Sequence, residues 1–315
     1  MEADRMLIDH TADSDRCIVF ENASIRVGIN VDCGAHIYEL VDMRSGSDIL
    51  YRDPAGSRDY RVGAWYELFP NAGPACQFQG RQFSRHGDLQ HQRWRLLRAS
   101  LCGHTAELSF AGRSREIPVL VTRHMQIGPA GRIRVRESLS NESSLDLRYL
   151  WGHHITFGEN MMEGSARVEL PDIDFTAELD AAPDAPYPPS ARGRANRFPS
   201  KDGATVDLTR FDQLPYSAML FADLSDDAHY TVSSPTLGLT VRAEWDPHAF
   251  GSLWMWTTTH GTTVDSDLVA CALEPQSSAV PALADACAAG TAPKLAPHAR
   301  RTAWLNLEVA HDTRS

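Results

Sequence analysis

The sequence predicts an all-β protein built as a large antiparallel β-sandwich. Three observations carry this: short segments alternating apolar and polar residues recur along the chain, turn signals separate them, and helical periodicity is nearly absent. A chain of 315 residues could hold two domains, but all-β folds often run to about 200 to 300 residues as one unit, and a single domain over residues 1–315 is expected.

At 24–31, Ile25, Val27, Ile29 and Val31 alternate with Arg26, Gly28 and Asn30, which reads as a half-buried strand. Gly34-Ala35 turns the chain into a second strand at 35–43, closed by Ser45-Gly46-Ser47. Leu50-Tyr51 reads as the start of an edge segment that Asp53-Pro54 ends. Residues 63–94 differ: the run from Gly63 to Pro74 lacks a period and is rich in glycine, proline and aromatic residues. It reads as a shaped loop, and loops held on rigid sheets are where binding groups concentrate. It leads through Asn71, Arg81 and Arg85 into His86-Gly87 and on to Trp94. An imidazole beside an indole suits a sugar ring, whose hydroxyls need fixed donors and acceptors while its C–H faces stack on aromatics. Taken alone, His86 fits a surface loop equally well.

Strand patterns resume at 106–110, 117–125 and 132–140, the last with Ile133, Val135 and Leu139 on one face and Arg134 and Arg136 on the other. At 147–157 two histidines fall in the middle of a strand pattern. Leu147, Tyr149, Trp151, His153, Ile155 and Phe157 share one face; Arg148, Leu150, Gly152, His154 and Thr156 share the other. The first face is bulky and suits a core. The second is small and polar, leaving room for a ligand beside His154, although a β-bulge would exchange the faces and favour His153. Residues 180–203 hold Pro183, Pro186, Pro188, Pro189 and Pro199, and read as an exposed excursion with strands on either side. Further strands are expected at 216–224, 229–233, 239–245, 253–259, 268–274 and 302–309. In the 268–274 strand, Ala270, Ala272 and Glu274 share a face, and Pro275 is expected to stop the ladder and leave Glu274 at a sheet margin.

Composition bounds the function. Apolar residues make up 43% with no run long enough for a membrane helix, and a net charge of −11 disfavours nucleic acid. Lys201 and Lys294 are the lysines, so nearly all the basic charge is arginine. Cys17, Cys33, Cys76, Cys102, Cys271 and Cys287 show no CxxC pair, which fits unlinked thiols in a reducing compartment. The acidic start Met1-Glu2-Ala3-Asp4-Arg5-Met6 lacks a signal-like apolar stretch, so a cytoplasmic location is expected. No GxGxxG, P-loop, GxSxG or HExxH motif occurs, and the spacing of His86, His91, His153 and His154 matches no zinc signature.

Together these segments resemble the aldose 1-epimerase (galactose mutarotase-like) family. The resemblance rests on the opening from Asn22 to Tyr51 with Gly34-Ala35, on Asn71 to Trp94 with His86-Gly87, on His154-Ile155-Thr156-Phe157 in place of the family's His-x-Tyr-Phe, and on Leu273-Glu274-Pro275-Gln276. It implies a twisted supersandwich with a cleft on one concave sheet, a carbohydrate substrate, and neither metal nor cofactor. It also implies roles: Glu274 as the base that takes the anomeric proton, His154 as the acid that protonates the ring oxygen, and His86 as its polarising partner. A carboxylate and an imidazole straddle neutral pH for these two tasks. The chain departs from the family at Asn71-Ala72-Gly73, where an Asn-Arg pair is usual, making Arg81 and Arg85 the candidate replacements. It departs again near Ser217, where an acid is usual and Asp212 is the nearby candidate. His153 and Trp94 complete the candidate sugar contacts. Two other functions remain open at this stage: a carbohydrate-binding protein without turnover, and a lyase or isomerase abstracting a proton beside the carbonyl of an oxidised sugar.

Overall fold

The computed structural model describes residues 4–10, 15–52, 63–162, 164–211, 216–261 and 268–311. Two antiparallel sheets dominate. The longer has eleven strands in the order Arg5–His10, Arg16–Glu21, Ile25–Asn30, His36–Asp42, Trp65–Leu68, Gly152–Phe157, Val269–Gln276, Ser252–Thr259, Tyr216–Asp223, Phe175–Ala177 and Arg192–Gly193. The shorter has eight: Arg167–Glu169, His229–Ser234, Leu239–Trp245, Arg300–His311, Arg132–Asn141, Val119–Ile127, Thr105–Arg113 and Arg95–Cys102. Among the described residues no helix is long and apolar enough to cross a membrane.

The shorter sheet follows the period-two rule. Val119–Ile127 alternates buried and half-buried residues without a break, as a sheet does with one face on the core and the other in water. The middle of the longer sheet breaks the rule. Every residue of Trp65–Leu68, Gly152–Phe157 and Val269–Gln276 is buried, so these strands are covered on both faces. That explains why residues 63–74 show no period, and it corrects the loop expected there: Trp65–Leu68 is a central strand, paired with Gly152–Phe157. Leu50, expected at an edge, bridges to Phe157 of that same central strand, while Asp53-Pro54 lies outside the described residues. Nor does Pro275 end its strand. Leu253 pairs with it and the ladder runs on to Gln276, so Glu274 sits inside the sheet, 3% exposed, and not at a margin.

The excursion at 180–203 is only partly exposed. Ala185, Tyr187, Ala195 and Phe198 are buried, the Tyr187 hydroxyl donates to the Met219 carbonyl at 3.3 Å, and Arg192–Gly193 forms the outermost strand of the longer sheet.

Between the sheets the core is mostly aliphatic and aromatic, with one charged cluster. Arg123 of the shorter sheet donates to Glu67 Oε2 at 2.8 Å and to Glu137 Oε1 at 2.5 Å, and also to the Ala35 carbonyl at 2.8 Å. The Trp151 indole donates to Glu67 Oε1 at 2.6 Å, and His153 Nε2 lies 3.1 Å from Glu137 Oε2. Trp65 Nε1 donates to His153 Nδ1 at 3.2 Å, which fixes the tautomer with the remaining proton facing Glu137. Burial and the neighbouring Glu137 charge push the Glu67 carboxyl up; Arg123 and His153 hold Glu137 down in spite of its burial.

Candidate active site

The charged cluster orients everything on the other side of the sheet. Trp65, Glu67 and His153 face the shorter sheet, so their alternates Tyr66 and His154 face away from it, as does Glu274 on the neighbouring strand. The face expected for His154 is the face it takes. The candidate site therefore lies on the outer side of the longer sheet, at its middle.

His154 Nε2 and Glu274 Oε1 are 3.6 Å apart. Thr156 Oγ1, two residues along the same strand, lies 2.9 Å from His154 Nδ1, so the hydroxyl can accept the Nδ1 proton and leave the Nε2 lone pair facing the carboxyl. Gln276 Nε2 donates to Glu274 Oε2 at 3.2 Å. Gly152 makes room for that amide: a Cβ there would overlap Gln276. Tyr66 stacks on the His154 ring at 4.7 Å between centroids, and its hydroxyl is 3.3 Å from His86 Nδ1. The rings of His86 and His154 are 5.7 Å apart. The two imidazoles and the carboxyl, separated widely in sequence, thus converge on one small region.

His86 arrives from a loop held in place by main-chain bonds. Its backbone is left-handed (φ 60), its amide donates to the Gly73 carbonyl at 3.0 Å, and Gly87 forms a parallel bridge with Phe69. Gly87 also has positive φ (69), and a Cβ there would collide with the Phe69 carbonyl, so only glycine fits. A non-glycine residue at positive φ stores strain that the surrounding structure must overcome, and such strain concentrates at functional sites.

The site is dry. His86, His154 and Glu274 are 9%, 4% and 3% exposed. Burial raises the Glu274 carboxyl to about 8, with its Gln276 bond and the Arg85 charge opposing. Burial pushes His154 well below the ordinary imidazole value, and its electrostatic interactions with His86 and Arg85 push the same way. The resting pair is therefore a protonated carboxyl beside a neutral imidazole, with one proton for the two groups.

The remaining candidates divide. Arg85 is exposed beside His86, and its charge reaches both Glu274 and His154. Arg81 is exposed too, but its Nη1 donates to the Glu116 carbonyl at 3.4 Å. Asn71 does not face the site: fully buried, it donates to the Pro74 and Ser84 carbonyls at 2.8 and 2.9 Å and accepts from the Leu283 amide at 2.9 Å, bracing the loop that carries His86. Trp94 lies between the sheets, its indole donating to the Leu89 carbonyl at 3.3 Å and its ring 4.7 Å from the Arg123 guanidinium. His153 is committed to the charged cluster, so neither it nor Trp94 is a sugar contact. Asp212 lies outside the described residues. Ser217 donates to Asp184 Oδ2 at 3.1 Å, so the excursion brings an acid to a position where the strand itself has none.

Thr156 and Gln276, which bond to His154 and Glu274, were not among the candidates, and neither were the aromatic residues Tyr66 and Trp256. Tyr66 gave no signal, because its strand has no period. Trp256 was legible in principle: it pairs with Ala272, two residues before Glu274 on the same face, and the small Ala270 and Ala272 leave it half-buried. An indole there offers a flat surface one step along the sheet from the acid–base pair.

No curated protein matches this sequence. Solved structures do. The Slr1438 protein of Synechocystis sp. PCC 6803 is 18% identical with a TM-score of 0.71, over 99% of this chain and 100% of its own. A galactose mutarotase-like protein from Clostridium acetobutylicum is 15% identical with a TM-score of 0.71, over 98% and 99%. Another galactose mutarotase-like protein, from Lactobacillus casei ATCC 334, is 17% identical with a TM-score of 0.61, over 93% and 99%. The fold is galactose mutarotase-like. A family model described as a domain of unknown function, DUF4432, matches residues 69–309, and the chain belongs to that family.

Proposed function

We propose that the protein is an aldose 1-epimerase, interconverting the α and β anomers of a free sugar or sugar derivative by acid–base ring opening. The observation that carries this reading is the convergence of Glu274 and His154, 3.6 Å apart, with the His86 ring 5.7 Å from that of His154. Ring opening removes the proton of the anomeric hydroxyl, forms the carbonyl, breaks the bond from the anomeric carbon to the ring oxygen, and protonates that oxygen. One acceptor and one donor are needed, and a pair sharing a single proton supplies both.

Before substrate binds, the proton rests on Glu274. An anomeric hydroxyl donating to Glu274 favours its ionised form, and a ring oxygen accepting from His154 Nε2 favours the imidazolium, so substrate binding moves the proton across the pair without changing its net charge. Glu274 then takes the anomeric proton, His154 delivers one to the ring oxygen, and His86 polarises that oxygen. Rotation of the open-chain aldehyde and closure on its other face yields the opposite anomer. Burial supports the scheme, because water is kept from the pair while the proton moves.

The test is anomer exchange followed by NMR or polarimetry over a panel of neutral and acidic aldoses. Acceleration of at least one sugar that disappears in Glu274→Gln is expected; no acceleration of any sugar rejects the reading.

A further inference from the structure

Arg85 is a charged feature of the site that ring opening does not use. It is exposed, it precedes His86 directly, and the left-handed main chain of His86 fixes where it emerges. Among the described residues it has no hydrogen bond or ion pair, whereas Arg81, four residues earlier, is bonded to the Glu116 carbonyl. Its charge nevertheless reaches Glu274 and His154. The acid–base pair is neutral overall, so Arg85 makes this region cationic in a chain whose net charge is −11. A neutral sugar would leave the guanidinium with water as its partner at the rim of a buried site. An anion would pair with it, and a guanidinium is shaped to grip carboxylate or phosphate oxygens through two parallel bonds.

We propose that the substrate is an aldose bearing an anionic group, held by Arg85 at the rim of the site while its anomeric centre lies over Glu274 and His154. This rests on the epimerase reading and narrows it to a substrate class. The carboxylate of a uronic acid and the phosphate of a sugar phosphate present the same chemistry to Arg85, and the choice between them falls to the experiment.

Anomer exchange is measured by NMR for matched substrates: glucose, glucuronate and glucose 6-phosphate, and galactose with galacturonate. For the wild-type protein, at least one anionic member should exceed its neutral counterpart in kcat/KM by about 10- to 100-fold, the range of one charge-assisted bidentate contact. The member that does so identifies the group. Arg85→Gln should lower kcat/KM on that substrate at least about tenfold more than on the neutral one, mainly through KM, with Arg85→Lys recovering part of the loss. Raising the salt concentration should increase KM for the anionic substrate selectively. Equal wild-type activity on anionic and neutral members, or equal losses in Arg85→Gln, overturns the proposal. If no sugar turns over, the epimerase reading fails by itself, and NMR titration with glucuronate and glucose 6-phosphate still decides the question. Binding of either that weakens about tenfold in Arg85→Gln sustains the anion site, and unchanged or absent binding removes it.

Discussion

Glu274 is held in a state that favours chemistry over stability. Its carboxyl is raised to about 8 by burial, whereas in the unfolded chain it ionises near 4.5. The folded protein thus keeps a proton that the unfolded chain loses, and stability falls as pH rises from about 4.5 to 8. Glu274→Gln keeps the shape and removes the titration. It should abolish about 10²- to 10⁴-fold of kcat with a far smaller change in KM, as loss of a group acting in the transition state requires. It should also raise Tm relative to wild type by a few degrees at pH 8 and leave it unchanged at pH 4. Loss of stability at pH 8 would refute the buried protonated carboxyl. The pH–rate profile follows from the same pair. Activity requires one shared proton, so it should decline on the alkaline side near pH 8 as that proton leaves, and on the acid side well below 6.5, where His154 takes a second. These limbs belong to the pair and not to either residue.

At the level of elements, Trp65–Leu68 and Gly152–Phe157 each carry the site on one face and the charged cluster on the other: Tyr66 and His154 outward, Glu67 and His153 inward. Arg123 ties Trp65–Leu68 to the shorter sheet through Glu67, and Glu137, itself held by Arg123, ties Gly152–Phe157 to it through His153. Arg123→Met would leave two buried carboxyls facing each other without a cation, and should destabilise the protein by about 3–5 kcal/mol, read as a lowered denaturant midpoint. Replacing Arg123, Glu67 and Glu137 together with apolar residues of similar size should recover most of that stability. Strands of the shorter sheet were legible because one face is wetter than the other and the alternation is clean, as at Thr105–Arg113 and Val119–Ile127. Trp65–Leu68 was not, because burial on both faces erases the alternation, and Tyr66 was lost with it. Glu137 and Arg123 did leave a trace, since each falls on the apolar face of its own strand, beside Val135 and Val121, where a charge needs a partner. His153 and His154 were separated correctly by parity alone. Glu274 lies inside the sheet and not at the expected margin because a position whose N–H points out of the ladder tolerates proline, so Pro275 does not stop the strand.

At the scale of the whole molecule, raised carboxyls outnumber lowered ones among the described residues. Besides Glu274, burial raises Glu67 to about 8, Glu178 to about 7 and Asp48 to about 6. Each keeps its proton in the folded protein at pH values where the unfolded chain has given it up, so each subtracts stability as pH rises through its window. His36, lowered to about 4 by burial, and His154 act oppositely: the unfolded chain binds their protons first, so they subtract stability as pH falls below 6.5. Between about 4.5 and 6.5 the two groups oppose each other, and from 6.5 to 8 the carboxyls act alone. The growing negative charge of a chain already at −11 adds self-repulsion in the same direction. Thermal unfolding should therefore occur at a higher temperature at pH 5.5 than at pH 8.5, although activity is expected to persist to about pH 8. Introducing Glu274→Gln and Glu67→Gln together should flatten the difference, and Glu178→Gln should add little, because Glu178 is only about half buried and solvent screens its charge. Equal Tm values for the wild type at pH 5.5 and 8.5, measured in the same ionic strength, would mean that the buried carboxyls are ionised in the folded protein, and the one-proton pair at the centre of the catalytic scheme would fall with them.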